Sequence, residues 1–146
     1  MSKEVIAKAE EIIRQNTAHS SLEGSEPYCV LALIDRDGYP TASTITASKA
    51  HGINWITFCT GLEGNKAKRI ANCNRASVCF NKDGAYNITL VGTIEVVTDL
   101  AIKEEMWYPG MGQHFNGPDD PDYCILHFET NRYNLLVDWQ EAEGIL

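Results

Sequence analysis

The chain has 146 residues, 44% hydrophobic and 22% charged, and twelve Lys and Arg against twenty Asp and Glu give a net charge of −8. This length suits one domain around one core, so residues 1–146 are expected to form a single unit. The acidic total argues against a nucleic-acid partner, which needs a positive face, and against adhesion to an anionic membrane surface.

The N-terminal segment carries Lys3, Glu4, Lys8, Glu10 and Glu11 with no long apolar stretch, which is not the pattern of a signal peptide. No run approaches the ~18 apolar residues that span a bilayer, so the expectation is a soluble, cytoplasmic protein. Val5, Ile6, Ala9, Ile12 and Ile13 recur at helical spacing from Lys3 to about Asn16, as in an amphipathic helix lying on a core. Asn16 to Pro27 is small and polar, a loop.

From Tyr28 the period changes. Tyr28–Asp35 is a β-rich apolar run, and the Asp37-Gly38 turn signal joins it to the alternating, Thr-rich Pro40–Lys49 as a hairpin. Asn54–Thr60 reads as a third strand after the His51-Gly52 turn. Gly61–Asn74 shows a weak helical stripe of Leu62, Ala67, Ile70, Ala71 and Cys73. Ala76–Asn81 and Tyr86–Thr98 follow as strands around a Lys82-Asp83-Gly84 turn. Gly92 within the second of them marks a bulge or bend. Asp99 caps a helix to about Tyr108, a Gly/Pro/Asp-rich loop runs from Met111 to Asp122, and Tyr123–Thr130 and Tyr133–Trp139 close the chain as strands. Seven short strands with peripheral helices predict a mainly β fold, an antiparallel barrel.

The five cysteines are odd in number and contain no CxxC, which argues against a disulfide framework and a zinc knuckle. Cys29, Cys59, Cys79 and Cys124 lie in apolar, strand-like runs where a reduced cysteine packs as a small hydrophobe. The four histidines show no paired-ligand spacing, and no metal is expected. His51 and His114 fall in loops, as substrate-side acids or simply as exposed residues.

One stretch opposes the acidic total. From Gly61 to Lys82 the ionisable residues are Glu63, Lys66, Lys68, Arg69, Arg75 and Lys82, five cations against one carboxylate. The stretch starts where the third strand ends and a helix begins, and a helix start offers unpaired N–H groups and partial positive charge. Asn65 is a good N-cap type, Gly64 permits close approach, and Arg69 lies four residues on, on the same face. These are the ingredients of a phosphate site, and a solvated basic helix face is the other reading. Lys66 in the first turn opposes the helix dipole; a bound anion explains that placement and a solvated face does not.

Several segments, in order, carry a resemblance. Asp37-Gly38-Tyr39-Pro40, Phe58-Cys59-Thr60 followed by Asn65-Lys66-Ala67, Asn74-Arg75-Ala76-Ser77-Val78 and Gly92-Thr93-Ile94-Glu95 extend over Tyr28 to Val97, with a weaker echo to Trp139. They resemble the pyridoxamine 5′-phosphate oxidase-like family of FMN-binding split barrels, in particular its small general stress protein-type members. The loop Pro118–Asp122 is similar to one in those members. The resemblance implies an antiparallel split β-barrel with FMN at a homodimer interface. It implies that Lys66, with Asn65 beside it, binds the FMN phosphate, and that Thr60, next to Cys59, meets the phosphate or ribityl chain. Ser43, Thr44, Ile45 and Thr46 would line the isoalloxazine, and Asn87 falls where the oxidase has a flavin-contacting Gln. Trp107 and Trp139 are candidates for the second wall, with core packing the expected role of each.

The departures bear on function. Ser43 and Ser48 stand where the family's strand often opens with Arg and closes with Lys, and Asn65 replaces its phosphate-binding Arg. Arg69 or Lys68 is the expected replacement. The oxidase's C-terminal Arg-x-His substrate signature has no counterpart after Tyr133, so the chain is not expected to oxidise pyridoxamine phosphate. The resemblance implies an FMN-dependent oxidoreductase acting on a small molecule not named by the sequence. The alternative is a non-catalytic carrier of flavin, deazaflavin or haem on the same fold.

Overall fold

The structure is a computed structural model that describes residues 2–21 and 27–146; part of the loop expected at Asn16–Pro27 therefore lies outside the described residues. Helix α1 (Ser2–Gln15) buries Val5, Ala9 and Ile13, four residues apart, so one stripe faces the core. Strands β1 (Cys29–Ile34), β2 (Pro40–Ile45), β3 (Ala47–His51) and β4 (Trp55–Gly61) follow. After them come α2 (Asn65–Asn72), β5 (Arg75–Lys82), β6 (Tyr86–Val97), α3 (Leu100–Met106), a 3-10 turn at Pro109–Gln113, β7 (Tyr123–Val137) and β8 (Gln140–Ile145).

The strands form one antiparallel sheet in the order β2-β1-β5-β6-β7-β4-β3, with β8 added to the second half of β7. The two ends of that order, β2 and β3, are halves of one strand interrupted at Thr46. The first half pairs with β1 and the second with β4. The sheet thus curls into an antiparallel barrel closed by chain continuity rather than by a ladder, a split β-barrel. This is why Pro40–Lys49, expected as one strand, is two. The two strands expected at the C-terminus are instead one 15-residue strand, whose halves meet different neighbours: β4 first, β8 second. Strand β8 was not anticipated, because Gln140–Ile145 carries two carboxylates and a glycine.

The interior holds Leu31, Leu33, Ile56, Phe58, Val78, Phe80, Ile88, Leu90, Ile94, Leu126, Phe128 and Leu135. Gly92 sits at a register shift between β6 and β7. A Cβ there would collide with the Glu129 carbonyl, so only glycine lets the two strands approach. Gly38 takes φ +86 in the β1–β2 turn, and Asp35 Oδ1 accepts the amides of Asp37 and Tyr39 there. The hairpin tip between β7 and β8 uses Asp138 (φ 51) and Trp139 (φ 66) instead of glycine.

Register sorts the side chains of β1 and β2. Cys29, Leu31 and Leu33 point inward opposite Ile45, Ser43 and Thr41. Val30 points outward, in line with Thr44 on one side and Cys79 and Thr89 on the other. The outward row is half-buried or exposed. By contrast, α3 and the 3-10 turn pack with β4 and the start of β7, over Cys59, Tyr123 and Ile125.

Candidate functional site

The start of α2 is chemically unusual. Its N-cap is Gly64 and not the expected Asn65, which is the first helical residue; no side chain caps the helix and no acid lies in the first turn. Helix α3 does the opposite, with the Asp99 carboxylate accepting from Ile102 N at 3.2 Å. Lys66 is half-buried in the first turn of α2. Among the described residues, no carboxylate lies within ion-pair distance of Lys66, Lys68 or Arg69. Uncapped N–H groups and unpaired cations together favour an anion.

Asn65 and Arg69 line one recess of about 330 Å³ with Lys68, Asn72, Asp35, Arg36 and Asp37. Their shared face follows from the four-residue spacing. Lys66 does not line that recess. The turn before α2 is latched from across the chain: Asp122 Oδ1 accepts from Glu63 N at 3.1 Å, and the Asp122 carbonyl accepts from Leu62 N at 2.7 Å. The Pro118–Asp122 loop therefore holds the strand-to-helix junction in place, a role its sequence did not disclose.

Thr44, Ile45 and Thr46 line a second cleft of about 670 Å³, together with Tyr28, Tyr108, Pro27, Ala18 and Ser21. Among the described residues, its lining carries no charged side chain. Ser43, on the same strand, faces inward opposite Leu31 and is half-buried. A third cleft of about 480 Å³ holds Asn87 with Asn81, Cys79, Tyr86, Leu136 and Trp139 among its lining. The outward row from Thr44 through Val30 to Cys79 joins the second and third clefts on one sheet face.

Cys59 and Thr60 diverge, as neighbours on a strand must. Thr60 is half-buried. Cys59 is buried beneath α3, its Sγ 3.4 Å from the Met106 carbonyl and 3.5 Å from Tyr123 Oη. Its side chain is closed off from the surface; only its backbone faces the neighbouring strands. Cys29 and Cys124 are buried as expected, whereas Cys79 is half-buried on the outward face. Trp107 packs edge-on against Tyr123 at 5.2 Å. Trp139, expected in the core, is 78% exposed, because the turn that carries it projects beyond the sheet. His51 stacks on Trp55 at 5.9 Å, and neither it nor His114 lines the three recesses above.

A single protomer therefore distributes Thr44, Ile45, Thr46, Asn65, Arg69 and Asn87 over three recesses, while Ser43, Cys59, Thr60 and Lys66 line none of the three. Asn81, Tyr28, Tyr108 and Cys79 were not anticipated. Asn81 was within reach of sequence: a turn at Lys82–Ala85 puts it directly opposite Asn87. Tyr108 was not, since it arrives from the far side of α3.

The buried thiols and phenols make an alkaline prediction. Burial pushes the Cys29 thiol up to about 12 from 9.0 and the Tyr108 phenol up to about 12 from 10.0. Burial likewise pushes Cys124 up to about 11 and raises Tyr123. These folded values lie above the unfolded ones, so the stability linked to them is complete below the unfolded values and falls as pH rises through the folded ones. Urea midpoints are expected to be level from pH 7 to 8 and to fall steadily from pH 9 to 11. A midpoint at pH 11 equal to that at pH 8 would refute the buried, protonated arrangement.

The continuity-closed antiparallel sheet defines a protein of the split-barrel class. The chain belongs to the pyridoxamine 5′-phosphate oxidase family, whose model matches residues 16–136. It is 24% identical over 119 residues to general stress protein 26 of Bacillus subtilis, covering 73% of this chain and 85% of that one. A Clostridium acetobutylicum protein related to general stress protein 26 superposes with a TM-score of 0.81 at 23% identity, over 100% of this chain and 97% of the other. The same fold occurs in an FMN-binding, pyridoxamine 5′-phosphate oxidase-related protein of Nostoc punctiforme (TM-score 0.63, 13% identity, 99% and 94% covered). It occurs also in a haem-binding protein of Mycobacterium smegmatis (TM-score 0.68, 19% identity, 94% and 57% covered).

Proposed function

We propose that the chain binds FMN between two copies of itself and works as a flavin-dependent oxidoreductase on a small molecule. The observation that carries this reading is the start of α2: uncapped, free of acid, with Lys66 in its first turn. The donor set fits a phosphate. Lys66 and the first-turn N–H groups would hold it, Asn65 and Arg69 would flank it, and the Thr60 hydroxyl would meet the phosphate or ribityl chain. Ser43, Thr44, Ile45 and Thr46 would run along the ring, with Cys59 contributing backbone only, and Asn87 would reach the ring from the adjoining cleft. Tyr28, Ile45 and Tyr108 in the lining of the Thr44–Thr46 cleft offer the apolar and aromatic surface that suits a planar, largely apolar ring. Bound FMN would supply the hydride and electron chemistry, while the protein binds, orients and shields it.

The outward face of β2, β1, β5 and β6 supports the homodimer. Val30, Ala32, Ile34, Cys79 and Val91 are half-buried there within one protomer, small and apolar enough to meet a second copy. Exposed Trp139 would then stand as part of the second wall.

The test is direct. The protein is titrated with FMN while flavin fluorescence is followed, its visible spectrum is recorded with and without NAD(P)H, and its mass is measured by sedimentation. Quenched fluorescence, flavin bands that bleach with a nicotinamide reductant, and a dimer are expected. A bound flavin inert to reductants would make the protein a carrier, and a Soret band would replace FMN by haem. A protein that quenches no FMN would sink the proposal.

A further inference from the structure

The third cleft contains an arrangement that flavin binding alone does not require. Cys79 Sγ receives two donors, Asn81 Nδ2 at 3.7 Å and Thr89 Oγ1 at 4.0 Å. Its remaining capacity is its own S–H, and Asn87 Oδ1 lies 3.1 Å from the sulfur. With the sulfur already accepting, the thiol is the donor in that contact and Asn87 the acceptor. In this arrangement Asn87 turns Oδ1 toward the sulfur and Nδ2 away from it, an orientation that follows from the thiol being the donor. Asn87 Nδ2 has no acceptor in hydrogen-bond range among the described residues, and Asn87 lines the cleft.

The cleft's other wall is built at a cost. Trp139 holds φ +66, a backbone region that bulky residues rarely occupy and that often accompanies function. The turn carrying it is tied down by Asp138 N to the Ala85 carbonyl at 3.0 Å and by Lys8 to Asp138 at 3.6 Å. The result is an exposed indole beside a free amide donor.

We propose that Cys79 is a positioning residue: its thiol locks the Asn87 amide so that Nδ2 is the group presented to the cleft, which makes this subsite selective for a planar ring whose edge carries hydrogen-bond acceptors. The proposal rests on the FMN reading above for the identity of the ring, and the orientation of Asn87 stands without it. A donor at that edge favours the ring as electron density accumulates on it, so the lock also raises the reduction potential of a bound flavin. An amide free to turn would present Oδ1 instead and repel the same edge.

The experiment compares wild type, Cys79→Ala, Cys79→Ser and Asn87→Ala, alone and combined. FMN affinity is read by fluorescence quenching, the bound flavin's midpoint potential by redox titration, and the Asn87 side-chain amide protons by NMR of the ligand-free protein. Cys79→Ala is expected to weaken FMN about five- to tenfold, the effect of one hydrogen bond, and to lower the potential. Cys79→Ser, whose hydroxyl still donates, is expected to restore both. In the Asn87→Ala background the Cys79→Ala change is expected to add nothing. The Asn87 amide resonances are expected to be one sharp pair in wild type and Cys79→Ser, and shifted or broadened in Cys79→Ala. Unchanged amide resonances in Cys79→Ala, or additive effects of the two alanine changes, would overturn the positioning role. If wild type binds no FMN, the ring's identity fails, and the NMR comparison alone decides whether Cys79 orients Asn87.

Discussion

Lys66→Ala is expected to weaken FMN binding by about 1.5–3 kcal/mol, roughly 10- to 150-fold, the contribution of one charge-assisted contact to a phosphate. The loss is expected with no change in urea midpoint, because Lys66 makes no ion pair among the described residues. Raised salt should narrow the gap between wild type and variant, since the interaction is screened at a half-exposed site. Arg69→Ala is the necessary comparison. Arg69 shares a recess with Asp35 and Asp37, two carboxylates that already offset part of its charge, so its removal should cost less. An unchanged affinity in Lys66→Ala beside a large loss in Arg69→Ala would move the phosphate into that recess. Fluorescence titration of the three proteins at two salt concentrations separates these outcomes.

Phe128→Ala is expected to destabilise the fold by about 3–5 kcal/mol. Phe128 is fully buried on β7, the strand shared by both halves of the sheet, opposite Ile56 on β4 and Ile94 on β6. Loss of its ring leaves a cavity among three strands that cannot close independently, since β7 is tied to partners on both sides. At this chain length the cost corresponds to a fall of roughly 10 °C in melting temperature. Thermal melts of the two proteins at equal concentration check it, and a fall of under 3 °C would mean that the barrel interior relaxes around the gap. A dimer would add concentration dependence to both melts, so the comparison is made at matched protein concentration.

Local chemistry was legible in the sequence to the extent that it acts over a few residues. Gly38 and Gly84 sit at positive φ because their turns demand it, and the Asp-Gly signals announced both. Gly92 announced the bulge because two backbones meet there. Asp99 announced the start of α3, where its carboxylate accepts from Ile102 N. The basic run at α2 was legible as composition, and its spacing placed Asn65 and Arg69 on one face.

Other features were hidden because their causes lie far along the chain. The break at Thr46 arises from pairing with β1 before it and β4 after it, and nothing within Pro40–Lys49 encodes that division. The cap of α2 fell to Gly64 because Asp122, from a loop close to sixty residues away, fixes the preceding turn through Glu63 and Leu62. Trp139 looked like a core residue by type, yet the hairpin that carries it ends outside the sheet.

By itself, then, the sequence determined an antiparallel, mainly β fold with peripheral helices, the turns that connect it, and a cationic strand-to-helix junction. These depend on side-chain period, turn geometry and local charge, which are properties of neighbours. The tertiary structure alone decided which residues share a cleft and which cysteine faces outward. Those depend on strand register and on contacts between distant segments, where a shift of one residue would turn every side chain to the opposite face.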